Sequence, residues 1–341
     1  MLEVANRTPF RVALTPWVNG EGLEFASILV KGTFDIRGAS EPLLISDAQV
    51  PVVSGDQYRG NPATASIQYA SDTCPIKHGT DIALVGHAYA TKGSTTSVDV
   101  GLQVGDTKKV LRVFGERVWY RSLLSWEISA PRRFERMPLL YERAFGGVDT
   151  THPDPAMHAG EMRNPVGTGF AASSRAERLE GLRLPNLEDP LHLIHRWNDR
   201  PPPMGFGFIA PSWMARARHA GTYDEKWKQG RSPFLPTNFD EQFFNAASPD
   251  LIVRPHLKGS VPVKLVGSCR EGILAFTLPD PALELTVTLK GKKTEYVPVL
   301  DTVILEPDER RVVLCWRVRV PCFRQLLYLE RVVVAMRGTG R

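Results

Sequence analysis

Cysteine is scarce in this chain: four residues in 341, at positions 74, 269, 315 and 322. That is too few and too dispersed for a disulfide framework, and a reducing cytoplasm fits best. Cys315 and Cys322 are seven apart across an expected strand, so they fall on opposite faces and are not expected to share a metal or a bridge. No run of 18 apolar residues occurs, so neither a transmembrane helix nor membrane insertion is expected. The start, Met1 to Pro9, has no basic stretch followed by an apolar one, and no secretory signal is expected there.

Motifs for cofactor and nucleic-acid chemistry are missing as well. There is no Walker A sequence. Gly167-Thr-Gly169 and Gly205-Phe-Gly207 open like a dinucleotide fingerprint and do not complete it, so no cofactor is expected. These glycines are expected instead to permit positive φ or close backbone approach. No RNP-type, zinc-finger or helix-turn-helix pattern points to nucleic acid.

Catalytic patterns are thin. No G-x-S-x-G elbow is present, and Gly267-Ser-Cys-Arg-Glu-Gly272 resembles one only loosely. Cys74 lies near His78, but nucleophile and base are joined by the fold rather than by proximity in sequence. His192 and His195 would share a helix face with Glu188 upstream, yet no third histidine follows at a zincin spacing. Three acid pairs, Glu188-Asp189, Asp224-Glu225 and Asp240-Glu241, form the strongest enzymatic alternative: a carboxylate-dependent hydrolase. The plainer reading has Asp224 and Asp240 capping turns or helices.

What the chain does contain is an ordinary globular balance, 43% hydrophobic and 23% charged, with net charge +5. From Arg310 to Arg341 there are eight arginines and one acid, Glu330. A basic face could meet an acidic partner. The favoured reading has these heads flanking apolar strand residues and pointing to solvent, because Arg317-Val-Arg319 alternates within 312–320 as a half-buried strand does.

The patterning is mainly β. Residues 1–140 and 255–341 read as two β-rich, sandwich-like halves, and 141–254 as an irregular insertion with short helices. Expected strands include Glu24 to Ile36, with Phe25, Ile28, Val30 and Phe34 as core. Asp81 to Ala90 and Ser97 to Val104 follow. A Gly105-Asp106 turn leads into Val110 to Trp119, with Val113 and Val118 inward. Trp126 to Ala130 is a further candidate. The C-terminal candidates are Val261 to Val266, Ile273 to Leu278, Leu283 to Leu289, Glu295 to Leu305, Arg311 to Val320 and Leu329 to Met336. Helices are expected over Ser173 to Glu180, Leu187 to Trp197 and Asp240 to Ala247.

The central stretch is the most informative. Residues 141–245 hold 13 of the 30 aromatic residues without a sustained helix or strand period. Disordered segments are normally poor in aromatics, and long ordered irregular segments are often functional. Recognition is therefore expected here. Tyr223 and Trp227, four apart with Asp224 as cap, read as a structural clasp, or as a binding surface of interface-type residues. Arg143, Arg216 and Arg218 are expected to pair with Asp224 or Glu225, or to reach a partner's carboxylate. Arg143, Trp213, Arg216, Tyr223, Asp224, Glu225, Trp227, Phe239 and Asp240 form the candidate partner-binding or clasp set.

Five motifs recur in order: Tyr141-Glu-Arg-Ala-Phe-Gly-Gly147, Asn164-Pro-Val-Gly-Thr-Gly-Phe170, Leu184-Pro-Asn-Leu-Glu188, Ala220 to Trp227 and Pro236-Thr-Asn-Phe-Asp240. Together with the strand-like Lys31-Gly-Thr-Phe34 they resemble the bacterial domain-of-unknown-function family 2169 over nearly the whole chain. One departure is Asn238, where the family pattern has Asp; the amide keeps shape and capping ability and loses the charge. The resemblance implies an adaptor or chaperone that carries a cognate type VI secretion effector to the secreted spike or its tip protein. A carboxylate-dependent hydrolase and a structural part of a phage-tail-like assembly are the alternatives.

Overall fold

The computed structural model describes residues 2–38, 41–90, 93, 95–123 and 125–337. It is mainly β, with three larger sheets and only short helices. The N-terminal region supplies β1 (Glu3–Asn6), β2 (Arg11–Val18), β3 (Glu24–Asp35), β4 (Leu44–Ile45), β5 (Thr80–Leu84), β6 (Ser97–Val104) and β7 (Thr107–Phe114). The central region adds β8 (Leu187–Glu188) and β9 (Ile252–Val253). The C-terminal region gives β10 (Pro262–Val266), β11 (Ile273–Thr277), β12 (Leu283–Leu289), β13 (Lys292–Tyr296), β14 (Val299–Glu306), β15 (Arg311–Pro321) and β16 (Leu329–Met336).

Strands from the two terminal regions share sheets. The largest runs β9-β5-β14-β15-β3-β2, with β4 also on the outer edge of β3. A five-stranded sheet runs β8-β7-β6-β10-β11, and a four-stranded one β1-β16-β12-β13. Within the first, β3 pairs antiparallel with β15 from Asp35↔Arg311 to Phe25↔Pro321. β5 and β14 are parallel, with Ile82 opposite Val303.

Burial explains the strand sequences. Every residue of β3 from Phe25 to Phe34 is buried, as in strands covered on both faces, so the strand is largely apolar and its polar members Ser27, Lys31 and Thr33 are buried as well. β6 and β7 alternate and turn at Gly105-Asp106 as expected. One large core joins all three sheets, and a smaller cluster of Trp119, Phe145, Ala171, Leu179, Leu184 and Ile194 lies under the central region.

Several expected elements differ. β7 ends at Phe114 rather than Trp119, and Val118 is half-buried. The chain breaks off at Gly115, where any Cβ would meet the Arg132 carbonyl at 1.8 Å. The strand expected over Glu295 to Leu305 is two strands of different sheets, parted at Val297-Pro298, where proline offers no N–H to a ladder. The helix expected over Ser173 to Glu180 shrinks to α1 (Ala176–Leu179), and its cap residue Arg175 makes no side-chain cap bond. No helix forms over Leu187 to Trp197. Leu187 pairs with Val113, and the Leu191 amide bonds to Asp189 in a local turn that competes with helix. The Asp240 cap is present, on a single 3-10 turn, Glu241–Phe244.

The expectation that the C-terminal arginines all face solvent fails at Arg317. It is 4% exposed, in the middle of the largest sheet. There it joins three buried ion pairs: Arg317–Asp301, Lys31–Asp72 at 2.7 Å and Lys77–Asp81 at 2.9 Å. Three cations balance three carboxylates, and at least one member of every pair is also hydrogen-bonded to its surroundings. That is the condition under which buried charge is tolerated. Arg319 does reach the surface, over the Phe25 ring and toward Glu241 at 3.2 Å. Arg341 lies outside the described residues.

Candidate functional site

The first three central motifs interlock, and the last two meet each other. Phe145-Gly146 pairs parallel with Thr168-Gly169, which brings the first two motifs side by side. A Cβ on Gly146 would lie 2.1 Å from the Asn164 carbonyl, at φ +153. A Cβ on Gly147, at φ +98, would lie 2.6 Å from the Gly167 carbonyl. The buried Asn164 amide donates to the carbonyls of Tyr141 at 2.8 Å and Phe145 at 3.1 Å. The third motif is tied in through Asn186, whose amide N–H donates to Arg143 O. Glu188 is buried, pairs with Arg117 and accepts from the Ile194 amide at 2.8 Å. The last two motifs meet where Asn238 accepts from Thr222 N and donates to Thr222 Oγ1, so here the amide in place of Asp makes a bond that uses its own donor.

This scaffold holds Tyr141 in the wall of an open cleft of about 440 Å³. The ring packs against Gly205, where any side chain would come within 2.6 Å, and edge-on to Trp213 at 5.3 Å. Met204, Ile209, Met214 and Ala215 supply apolar lining, with Pro202 and Pro203 beside them. Polar groups come from Lys109 of β7 and from Ser248 and Asp250. Lys109 Nζ donates to Ser248 Oγ at 2.9 Å and Asp250 Oδ1 at 3.0 Å, and Ser248 Oγ donates to Asp250 Oδ1 at 2.5 Å. Burial pushes the Lys109 ammonium below its ordinary pKa, and Asp250 opposes that shift. Burial drives the Tyr141 hydroxyl well above its ordinary value. Ser248 lies beside that hydroxyl and opposes the shift, yet its own hydrogen bond goes to Asp250, and Tyr141 Oη is buried with no partner at full hydrogen-bond geometry. Arg163, Asp189 and Arg218 complete the lining.

A second groove, about 360 Å³, lies at the end of β2. It is lined by Trp17 and Val18 together with Phe239, Phe244, Arg231 and Arg319. Phe239, Phe243 and Phe244 pack ring on ring at 5.4 to 5.9 Å. Asp240 caps the turn through Gln242 N and accepts from His219 Nδ1 at 2.8 Å, while Glu241 holds His78 Nε2 at 2.9 Å.

The sequence-derived set is therefore split. Trp213 is buried beside the cleft. Arg216, on α2 (Met214–Ala217), donates to the carbonyls of Ile209 and Phe243. Arg143 pairs with Glu116 at 2.8 Å. Neither pairs with Asp224 or Glu225, and Arg218 donates to His219 instead. The expected arginine–carboxylate grouping does not form, because the scaffold's own carbonyls and Glu116 take these donors. Asp224 does cap α3 (Glu225–Gly230) through Trp227 N, and Tyr223 meets Trp227 at 4.7 Å. This clasp is exposed: Tyr223 is 52% accessible, and α3 buries none of its residues. Phe239 lines the second groove, and Asp240 sits beside it as the cap of the adjoining turn. Sequence reasoning missed Lys109, Tyr141, Ser248 and Asp250. The signal for Tyr141 was present in its motif; a lysine in an alternating strand gave none.

The chemistry expected of the acid pairs is not assembled. Glu188 is paired with Arg117, Asp189 faces His192 at 2.8 Å, Asp224 and Asp240 each use one oxygen on a cap, and the other Asp240 oxygen faces His219. His192 and His195 do not share a helix, since none forms there. Among the described residues no group of three or more His, Cys, Asp or Glu side chains is placed to hold a metal ion. The Cys74 thiol is buried, and burial raises its pKa despite Arg317 and Lys77, the opposite of nucleophile activation. Among the described residues no helix is long and apolar enough to cross a membrane.

No curated protein and no solved structure matches the chain. The family described as "Uncharacterized protein conserved in bacteria (DUF2169)" matches residues 21–317, which takes in β3, all five central motifs and most of β15. With all five motifs inside a match that covers most of the sequence, the chain belongs to the DUF2169 family.

Proposed function

We propose that this protein is a cytoplasmic adaptor or chaperone that binds a cognate type VI secretion effector and helps load it onto the secreted spike or its tip protein. The supporting observation is the central scaffold. Three of the motifs interlock and the other two clasp each other, which orders an otherwise irregular segment, and that segment presents an open apolar cleft with exposed Met214 in its lining and exposed Met162 beside it. Met214 N bonds to Met162 O, which places these two exposed methionines together. Methionine adapts to varied apolar partners, and exposed apolar groups grouped near a cleft mark interaction sites. The acid pairs that a hydrolase would need are committed to caps and ion pairs.

In this reading the central face takes an apolar segment of the effector. A second surface engages the spike, and the open edges of β2, β11 or β13 offer backbone for an added strand. The test is affinity purification of the tagged protein from its own cells, combined with deletion of its gene. A toxin-like protein recovered together with a spike or tip protein, and loss of that effector's secretion on deletion, are expected. Unchanged effector abundance and secretion in the deletion strain overturn the reading.

A further inference from the structure

We propose that the cleft beside Tyr141 is a binding site for an apolar group that ends in an acceptor oxygen, a carboxylic acid or an amide. The proposal rests on the cleft's unspent donors and does not depend on the adaptor reading. Tyr141 is 2% exposed, and its hydroxyl has no hydrogen-bond partner. A buried hydroxyl without a partner is costly, and native structures normally satisfy such groups. Lys109 is 5% exposed. Its ammonium carries three N–H donors, and the hydrogen bonds to Ser248 and Asp250 use two of them. The polar end of the cleft therefore has donors to spare, and its acceptor Asp250 already takes from both Lys109 and Ser248.

The remainder of the lining selects an apolar body. Met204, Ile209, Met214 and Ala215 carry no hydrogen-bonding side chain, and the volume of about 440 Å³ falls within the ordinary range of small-ligand sites. Charge points the same way. Three cations, Lys109, Arg163 and Arg218, line the cleft against two acids, Asp189 and Asp250, and Arg163 is itself held by Glu161. Arg218 is exposed and forms no ion pair among the described residues, whereas Asp189 faces His192. A ligand that brings an oxygen meets Tyr141 O–H and Lys109 N–H; a ligand that brings an ammonium must share Asp250 with Lys109 and Ser248, or Asp189 with His192. Such an oxygen can belong to a free aliphatic acid or amide, or to the C-terminal residue of a peptide.

Calorimetric titration of the full chain with hexanoate, hexanamide, hexylamine and acetyl-Ala-Ala-Leu carrying a free C-terminus tests this. Hexanoate and hexanamide are expected to bind in the millimolar range or tighter, and hexylamine at least tenfold more weakly. A peptide that binds more tightly than hexanoate assigns the site to a protein terminus; the reverse order assigns it to a free small molecule. Tyr141→Phe removes an unpaired hydroxyl, so it is expected to leave the melting temperature of the unliganded protein unchanged or higher. It should weaken hexanoate roughly two- to tenfold, the range for one hydrogen bond. Ala215→Trp, which fills the cleft, is expected to remove binding. The proposal is overturned if hexylamine binds as well as hexanoate, if Tyr141→Phe leaves hexanoate affinity unchanged, or if none of the four probes binds.

Discussion

Arg317 and Asp301 face each other across β15 and β14 with Nε and Oδ2 2.5 Å apart, and both side chains are almost wholly buried. The guanidinium also donates to the carbonyls of Asp72 and Cys74 at 2.9 Å, which ties the loop before β5 to the sheet. Removing one partner leaves a charge buried and unpaired. Arg317→Met is expected to cost about 3–5 kcal/mol. Arg317→Met combined with Asp301→Leu is expected to cost less than the sum of the two single changes. Urea unfolding of the three variants checks this. Additive losses would show that the pair acts as two independent groups.

The same carboxylate sets an acid limit. Burial alone would raise the Asp301 pKa, but Arg317 and Lys77 outweigh it and hold it below its ordinary range. Asp240 is likewise lowered: the Gln242 amide and His219 overcome its burial. A carboxylate with a depressed folded-state pKa contributes stability that is complete above the unfolded value, about pH 4, and lost as pH falls through the folded value. Stability is therefore expected to hold from pH 7 to about 5 and to drop below about pH 4. Urea midpoints at pH 7, 5 and 3 measure it. A midpoint that is the same at pH 3 as at pH 7 contradicts this assignment.

Gly146 and Asn164 form the tightest point of the central scaffold. Gly146→Ala places a methyl against the Asn164 carbonyl in a backbone region that L-residues avoid, and it is expected to cost more than about 2 kcal/mol. Asn164→Ala leaves the buried carbonyls of Tyr141 and Phe145 without that donor, at about 1–3 kcal/mol. Thermal melts read both. Wild-type stability in Gly146→Ala would mean that this contact is not the reason for the glycine.

All four thiols are buried and free. Burial raises the pKa of each, and that of Cys315 lies well above its usual value. Ellman's reagent is expected to find no fast-reacting thiol in the native protein and four after denaturation. One rapid native thiol at Cys74 would revive the nucleophile reading.

Much of the fold was legible because period-2 alternation needs only local burial. β6, β12 and β16 follow their sequence patterns to the residue. The caps at Asp224 and Asp240 were legible for a similar reason, since a side-chain oxygen two or three residues before an amide is a local event. Helices were overestimated around Leu187 because the competing partner, Val113, lies 74 residues away. The cleft was only half legible. Tyr141 lay within a recognised motif without being singled out, and Lys109 sits in a strand whose alternation says nothing about what covers its face.

The sequence by itself determined the β character, most strand positions, the turns and caps, and the family, because each depends on neighbours in the chain or on motif order. Tertiary structure decided which strands share a sheet, that Arg317 is buried rather than solvated, and that Tyr141, Lys109, Ser248 and Asp250 meet. Those outcomes depend on contacts between residues far apart in sequence. There, the cost of burying a charge or a hydroxyl is set by the partners that the fold brings to it.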